Sequence, residues 1–295
     1  MHDWDDLRLF LAAARAGSLN GAAKRVGVDA ATMGRRLARL ETALKATLFT
    51  RSSAGLQLTA AGQQLLDIGL EAESAMEAAG DVGAPDVMGG AVRIGAAEGF
   101  GAFIVAPSLP QLRARRPNLR IELAAQANLL SATKREVDVS VTLSAPHAAR
   151  LSVEPLTDYQ LGLYAHPSYL KKAGAPESAL DLSRFEIVGY VDDLIFAPEL
   201  RYLSEIHPGL KPTLSSSSIR AQQEMIAAGG GIGVLPCFMA QGLTRVLAQD
   251  VRLMRRFWLS IHRDLMKTAR VRVVRDWLKE LVRVKRRELN PPRAL

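Results

Sequence analysis

The sequence has a single cysteine, Cys237, among its 295 residues. One thiol can form neither an internal disulfide nor a thiolate metal cluster, and its place after Pro236 in an apolar stretch favours a buried structural role. The five histidines are scattered without the spacing of metal ligands. We therefore expect no metal site and no bound cofactor.

Long apolar runs are missing as well. No hydrophobic segment approaches the roughly 20 residues that cross a bilayer, and residues 3–6 are mostly acidic where an export signal would be basic. Hydrophobic residues make up 48% of the chain and charged residues 23%, which is typical of globular proteins, and the length fits two or three domains. We expect a cytoplasmic protein without a membrane partner.

Catalytic motifs are also lacking. The glycine-rich run 229–233 is not followed by the Gly-Lys-Ser/Thr of a phosphate-binding loop, so a helix-to-strand turn is the better interpretation. Serines 215–218 lack the Gly-x-Ser-x-Gly elbow of a nucleophile. Asp192 and Asp193 are neighbouring carboxylates of the kind that usually face solvent. The sequence predicts no catalytic residue and a protein that is not an enzyme.

Positive charge is what the chain has in excess. Its formal net charge is +8, residues 1–60 carry nine basic and five acidic side chains, and a second basic block runs from Arg263 to Arg293. Such an excess favours polyanionic partners. For the second block, a solvated helix face is the simpler interpretation and direct contact with DNA is the alternative.

Apolar periodicity predicts three short helices in the first 45 residues. Gly17 can end the first helix, Ser18 can cap the second, and Asp29 can cap the third. The inward stripes are Leu7, Phe10, Leu11 and Ala14 in the first helix, Ala22, Ala23 and Val26 in the second, and Met33, Leu37, Leu40 and Leu44 in the third.

The third helix presents Thr32 and three arginines on its outer face, and residues 48–59 follow as two extended pieces around a Ser/Gly turn. A basic surface helix by itself is more often only a solvated face. The short helix before it and the β-wing after it reverse that preference and indicate a winged helix-turn-helix, whose third helix can enter a major groove.

Five separated segments, in register, resemble the LysR-type transcriptional regulators. They are residues 9–10 through 17–18, Ala22-Ala23-Lys24, the run from Arg35 to Glu41, Leu48-Phe49-Thr50-Arg51, and Leu58 to Gly62. The resemblance extends along most of the chain. It implies an α/β protein with an N-terminal winged helix-turn-helix, a linker helix and a two-lobed effector domain similar to type 2 periplasmic binding proteins. The implied partners are double-stranded DNA, a small-molecule effector of unknown identity, and further copies of the chain in a homodimer or homotetramer.

The start of the recognition helix departs from the family. Members often have Gln, Pro and Ser where this chain has Ala30, Ala31 and Gly34. Base reading would then depend on Thr32 and Arg35, with the alanines against thymine methyl groups and the later arginines more on phosphates. The predicted DNA-binding residues are Ala30, Ala31, Thr32, Gly34, Arg35, Arg36, Arg39 and Arg51.

We predict domain boundaries from the same combination of pattern and resemblance. Residues 1–60 form the DNA-binding domain and residues 59–82 a helix whose apolar stripe needs a partner. By resemblance this partner is the same helix of a second subunit; packing within one chain is the alternative. Residues 80–90 are a linker by composition. Residues 91–295 form the effector domain, with lobe 1 at 91–160 and 267–295 and lobe 2 at 161–266.

Beyond the linker, strand-like and helix-like segments alternate, which predicts a largely parallel sheet with ligands at the strand ends. By resemblance, the chain crosses between lobes near residues 155–160 and again near 262–267. The predicted effector-binding residues are Glu98, Gly99, Phe100, Gln126, Asn128, Thr142, Tyr190, Ser217 and Ser218. Since Thr142 stands where many relatives have an arginine, we expect a neutral or polar effector, or a weakly held anion, rather than a dicarboxylate.

Together these features predict a regulator that binds interrupted-palindrome promoter DNA under the control of a small molecule. Two alternatives are a two-lobed small-molecule-binding protein or enzyme without a transcriptional role, and an architectural DNA-binding protein without ligand control. The first leaves the basic winged module without a purpose, and the second leaves the two-lobed domain without one.

Overall fold

The structure, a computed structural model, describes residues 3–52, 55–80, 90–126 and 136–292. The chain divides into two compact units, Met1–Pro85 and Asp86–Leu295. Most of the predicted linker, residues 81–89, lies outside the described residues. Within the described ranges, no helix is both long and apolar enough to cross a membrane.

The first unit is a bundle of helices with a small antiparallel sheet. Its core contains Phe10 and Leu11 of the first helix and Met33 and Leu40 of the third. The elements are α1 Trp4–Ala16, α2 Leu19–Val26, α3 Ala30–Leu44, β1 Phe49–Ser52, β2 Gly55–Leu58 and α4 Ala60–Gly80.

The helix ends follow the predicted caps. Ser18 accepts a hydrogen bond from the Gly21 N–H at 3.2 Å, and Asp29 accepts one from the Thr32 N–H at 2.7 Å. Gly17 and Gly27 end α1 and α2 in the left-handed conformation, which is where glycine avoids the steric cost of a side chain. These three predicted helices are confirmed.

The β1–β2 hairpin is fixed to the helices by close backbone contacts. The Leu56 N–H donates to the Gly17 carbonyl at 2.8 Å. A Cβ on Gly62, in the first turn of α4, would lie 2.1 Å from the Leu48 carbonyl oxygen. The wing and the start of α4 therefore pack at a spacing that only glycine permits.

Helix α4 uses part of its apolar stripe within its own unit. Leu65, Leu66 and Leu70 pack against the core of the first unit, which is the alternative of packing within one chain. Ile68 and Met76, by contrast, are 56% and 53% exposed. The first turns of α4 are thus covered by the first unit, whereas Ile68 and Met76 leave an apolar face of the helix exposed to solvent.

The second unit is built on a nine-stranded sheet. Eight strands follow the order β4-β3-β5-β11-β6-β9-β7-β8, and β10 pairs with β6. The strands are β3 Gly90–Ala97, β4 Leu119–Gln126, β5 Val139–Thr142, β6 Leu151–Ala165, β7 Ile187–Gly189, β8 Leu214–Ser215, β9 Ile232–Pro236, β10 Thr244–Val246 and β11 Leu253–His262.

The expectation of a largely parallel sheet is correct at both ends and wrong in the middle. Strands β3, β4 and β5 pair in parallel at one end, as do β7, β8 and β9 at the other. In the middle, β11 is antiparallel to both β5 and β6, and β6 is antiparallel to β9. The reason is that β6 and β11 carry the chain between the two ends in opposite directions.

The second crossing between lobes lies earlier than predicted. Residues Trp258–Ile261 of β11 already pair with β5 of the first lobe, so the chain crosses inside β11 and not at residues 262–267. The first crossing lies within β6, whose residues from Leu161 onward pair with β9. Helix α10 packs against β3.

The helices of the second unit are mostly short. The predicted helix 104–115, with interruptions at its prolines, is a π-helical turn at 101–105, a 3₁₀ turn at 106–108 and then an α-helix. The glycine-rich run 229–233 joins a helix to β9, as predicted. The helices are α5 Glu98–Phe100, α6 Leu109–Arg115, α7 Pro167–Ala173, α8 Tyr202–Ile206, α9 Ile219–Ala227, α10 Ala269–Val284 and α11 Arg286–Leu289.

Candidate nucleic-acid interface and effector cleft

The start of α3 presents an exposed face held by a chain of hydrogen bonds. The Thr32 hydroxyl donates to Asp29 at 2.6 Å and accepts from the Arg35 guanidinium at 3.1 Å. The hydrogen bonds from Thr32 also lower the pKa of Asp29 below its ordinary value. Ala30 and Ala31 are exposed beside them. The Arg35 side chain is thereby oriented along the first turns of α3.

Gly34 widens this face because it has no side chain. A Cβ built there would meet no atom within 4 Å. Four of the predicted DNA-binding positions, 30, 31, 34 and 35, therefore lie on one accessible surface at the beginning of the helix.

Arg39 has a partner that the sequence interpretation missed. Its guanidinium donates to both carboxylate oxygens of Asp6, each at 2.7 Å, and to Asp3 at 3.1 Å. Asp6 is only 3% exposed, and this pairing raises the pKa of Arg39 further. Arg39 therefore joins α3 to α1. The available signal was the position of Asp6, one residue before the apolar stripe of α1.

Arg36 lies beside the same acids at longer range. Its guanidinium is 3.7 Å from Asp6 and 3.8 Å from Asp5. The side chain of Arg51 lies outside the described residues, as do residues 53 and 54 of the wing. The predicted phosphate contacts of Arg36, Arg39 and Arg51 thus stay predictions.

Part of the second basic block is paired with acids of its own unit. Lys279 pairs with Glu154 at 2.8 Å, and Arg283 pairs with Glu280 at 2.7 Å. Pairs of this kind on an exposed helix are those of a solvated face, the simpler of the two interpretations of this block.

The second unit contains a small aromatic cavity where β3 ends and α5 begins. Its volume is about 40 Å³, enough for very few water molecules. Four predicted residues meet there: Glu98, Gly99, Phe100 and Tyr190. The sequence interpretation missed the rest of the wall, which includes Leu143, Tyr159, Phe196, Leu200, Tyr202, Ile219, Pro236, Phe238 and Phe257.

Aromatic rings pack closely around this cavity. Tyr159 stacks on Phe257 at 4.1 Å between ring centroids, and Phe100 lies 4.5 Å from Phe257. Burial raises the pKa of the Tyr159, Tyr190 and Tyr202 hydroxyl groups, so all three stay uncharged. The wall therefore offers apolar area and neutral hydroxyl groups, which suit an uncharged ligand.

Glu98 clasps the two lobes together across the cleft. Its carboxylate accepts from the Ser218 hydroxyl at 2.7 Å and from the Ile219 N–H at 3.1 Å. Ser218 is the N-cap of α9, so the carboxylate sits where the helix dipole favours negative charge. A side chain of the protein already occupies the position that an anionic ligand would take.

Among the described residues, Thr142, Ser217 and Ser218 do not line the aromatic cavity. The Thr142 hydroxyl donates to the Ser144 carbonyl at 2.7 Å, and Ser217 is exposed. Asn128 and the side chain of Gln126 lie outside the described residues. Over the ranges that are described, no three His, Cys, Asp or Glu side chains gather as a possible metal site.

Two family models match the chain. Residues 4–63 match the model of the bacterial regulatory helix-turn-helix proteins of the lysR family. Residues 86–283 match the LysR substrate-binding domain.

Individual proteins are similar over most of the chain. The Mau operon transcriptional activator of Paracoccus denitrificans is 26% identical over 283 residues, covering 95% of this chain and 96% of that protein. The regulator CrgA of Neisseria meningitidis is 24% identical over 243 residues, 80% of each chain.

Solved structures support the fold. The structure of CrgA covers 94% of this chain and 97% of its own, with a TM-score of 0.60 and 23% identity. That of ArgP from Mycobacterium tuberculosis covers 94% and 96%, with a TM-score of 0.70 and 17% identity.

Proposed function

The chain belongs to the LysR family of transcriptional regulators, and from this premise we propose that it reads promoter DNA with paired α3 helices and responds to an uncharged, largely apolar small molecule. The observation that supports this proposal most directly is the exposed start of α3. There Arg35 is oriented by a hydrogen bond to Thr32, while Arg39 is hydrogen-bonded to Asp6. We propose a regulatory and not a catalytic role, in the cytoplasm, where bacterial promoters are.

The hydrogen bonds of the α3 arginines suggest which of them contacts bases and which contacts phosphates. Arg35 is free to form a bidentate contact with a guanine edge, and Ala30 and Ala31 can contact thymine methyl groups. Arg36, Arg39 and Arg51 contribute phosphate contacts, which fix the position of the helix but carry no sequence information.

We propose that two copies associate through the exposed face of α4. Ile68 and Met76 are eight residues apart, about 80° around the helix, and so both fall within one apolar stripe, and both are more than half exposed. A second copy that covers this face would present two recognition helices to an interrupted palindrome with half-sites about one DNA turn apart.

The effector class is proposed from the aromatic cavity. Seven aromatic side chains contribute to its wall, and Glu98 places a negative charge at the N-terminus of α9. A small aromatic or apolar molecule with a hydroxyl group would be accommodated, whereas a second carboxylate would be repelled by Glu98. Because the cavity is small, binding requires the lobes to move apart at the Glu98 clasp.

The experiment is a DNA-binding titration with the full chain. Fluorescence anisotropy would compare the DNA directly upstream of its own gene with a scrambled duplex, at increasing salt. We expect preference for the upstream DNA and an affinity that falls steeply with salt, because phosphate contacts release counterions. Absent binding to both duplexes at low salt would instead support the two-lobed binding protein without a transcriptional role, and equal binding to both would support the architectural DNA-binding protein.

A further inference from the structure

Strand β6 separates the aromatic cavity from a second, larger one. Side chains of a strand alternate between its two faces, so Tyr159 lines the aromatic cavity while Gln160 and Tyr164 line the second. The second cavity has a volume of about 710 Å³, within the range of small-molecule sites. Phe238 lies between the two cavities and contributes to both.

The floor of the second cavity holds a guanidinium group in a fitted position. Arg245 projects from β10, opposite Tyr164 of β6, and lies flat over Gly162. A Cβ on Gly162 would approach the Arg245 Nε to 2.7 Å. The absence of that side chain is what lets the guanidinium rest on the strand.

This guanidinium is only partly satisfied. The Gln160 amide oxygen accepts from its two terminal nitrogens at 3.1 and 2.7 Å, and the Gln160 amide nitrogen donates to the Pro291 carbonyl at 3.3 Å. A weaker bond runs from Arg245 to the Val251 carbonyl at 3.4 Å. Among the described residues, the buried Arg245 Nε finds no hydrogen-bond partner. The acceptors that the other guanidinium nitrogens find there are the uncharged Gln160 and Val251 oxygens.

The positive charge around this cavity is not balanced. Arg245, Arg252 and Arg287 all line it, and among the described residues none of the three has a carboxylate within 4.0 Å. Glu288, an acid of the same wall, pairs with Lys285 at 2.7 Å. Other arginines of this unit do have acidic partners, as Arg256 has in Asp158 at 2.6 Å. Arg252 and Arg287 are exposed, whereas Arg245 is half-buried. An unpaired charge that is partly withdrawn from water, as that of Arg245 is, favours the entry of an anion.

The rest of the wall is apolar or neutral. Phe238, Ala240 and Ala248 face the cavity together with Pro291 and Pro292. Burial raises the pKa of the Cys237 thiol, which lies beside the Tyr164 hydroxyl. The cavity thus combines a cationic floor with a hydrocarbon-lined side.

We infer that this cavity is a second small-molecule site, distinct from the aromatic cavity, and that it takes a small monocarboxylic acid. The carboxylate pairs with Arg245, with Arg252 at the opening, and the hydrocarbon part lies against Phe238 and the two prolines. The shared Phe238 gives the occupied site a direct contact with the wall of the aromatic cavity.

The test uses the full chain and isothermal titration with hexanoate, phenylacetate and inorganic phosphate as probes. We expect one site per chain for the two carboxylates, with phosphate much weaker. Arg245→Met should weaken carboxylate binding at least about tenfold, the effect of losing a charged hydrogen-bonding partner. Gly162→Ala should act in the same way, because its Cβ displaces the guanidinium while Arg245 is retained.

Two controls make the outcome decisive. Arg256→Met removes an arginine of the same sheet that is already paired and should leave binding unchanged, and all variants are compared by thermal unfolding. The proposal is overturned if neither carboxylate binds at millimolar concentration, if phosphate binds as tightly as hexanoate, or if Tyr190→Ala in the aromatic cavity abolishes binding while Arg245→Met and Gly162→Ala do not.

Discussion

Arg35 and Arg39 lie one helical turn apart on α3 and have different surroundings. Arg35 is exposed, and within the described part of the chain its guanidinium donates only to the Thr32 hydroxyl. Arg39 forms a bidentate pair with the buried Asp6 of α1. A guanidinium that is engaged in this way holds two helices together, whereas one that is held only by a hydroxyl group can turn toward a base edge.

Replacing Arg35 and replacing Arg39 should therefore affect DNA binding in different ways. Arg35→Ala should cost about 1–3 kcal/mol on the preferred DNA and little on random DNA, because it removes a base contact. Arg39→Ala should weaken binding to both DNAs alike and also lower the midpoint of thermal unfolding, since Asp6 loses its partner. Anisotropy with both duplexes, together with melting curves, measures this. Equal losses for the two variants on both DNAs would refute the assignment.

At the scale of elements, local signals were sufficient for the helices of the first unit. Ser18 and Asp29 identify helix starts, Gly17 and Gly27 identify ends, and apolar spacing identifies the buried faces, because each depends on residues close together in the sequence. The family resemblance supplied the order of the domains.

Features that are formed by residues far apart in the sequence could not be predicted from such local signals. The antiparallel pairing of β6 with β11 joins segments about 100 positions apart, and hydrophobicity carries no information on strand direction. The aromatic wall draws Phe100, Tyr159 and Phe257 from separate elements of a chain with 5% aromatic residues. The pairing of Asp6 with Arg39 was missed for the same reason.

Two helical glycines provide a matched test of how the wing is held. Gly62→Ala should destabilise the first unit by about 3 kcal/mol, the upper part of the range for overpacking, because its Cβ would lie 2.1 Å from the Leu48 carbonyl. Gly34→Ala should instead be neutral or stabilise by up to about 1 kcal/mol, since alanine favours helix and the space around it is open. Chemical denaturation measures both. Similar effects of the two substitutions would contradict the packing of β1 and α4 described above.

At the scale of the whole molecule, the Glu98 clasp decides how the two lobes meet. Its carboxylate links the end of β3 in one lobe to the start of α9 in the other. A ligand that needs the space between them must compete with these hydrogen bonds. The difference between its affinities for the open and the closed arrangement therefore sets how far the equilibrium between them shifts.

Glu98→Ala should loosen the clasp without unfolding the unit. The amides at residues 219–221 should exchange with solvent about tenfold faster, as expected for the loss of a hydrogen bond to a charged group. Glu224→Ala is the control, because Glu224 lies on the same helix in an exposed pair with Arg220 at 2.7 Å. Exchange that is unchanged by Glu98→Ala, or accelerated equally by Glu224→Ala, would contradict the clasp.

The association of two chains gives the last prediction. Charges at the exposed face of α4 should prevent a second copy from covering it, so Ile68→Glu with Met76→Glu should convert the protein to a smaller species in sedimentation. A monomer carries one recognition helix and loses the combined contribution of two half-sites, so binding to an interrupted palindrome should fall to the level of a single half-site. Binding to the single half-site itself should be unchanged, since α3 is untouched. Leu180→Glu, at an apolar residue of the second unit that is 70% exposed, is the control. If the double variant kept both its size and its preference for the palindrome, α4 would not be the surface through which the recognition helices are paired.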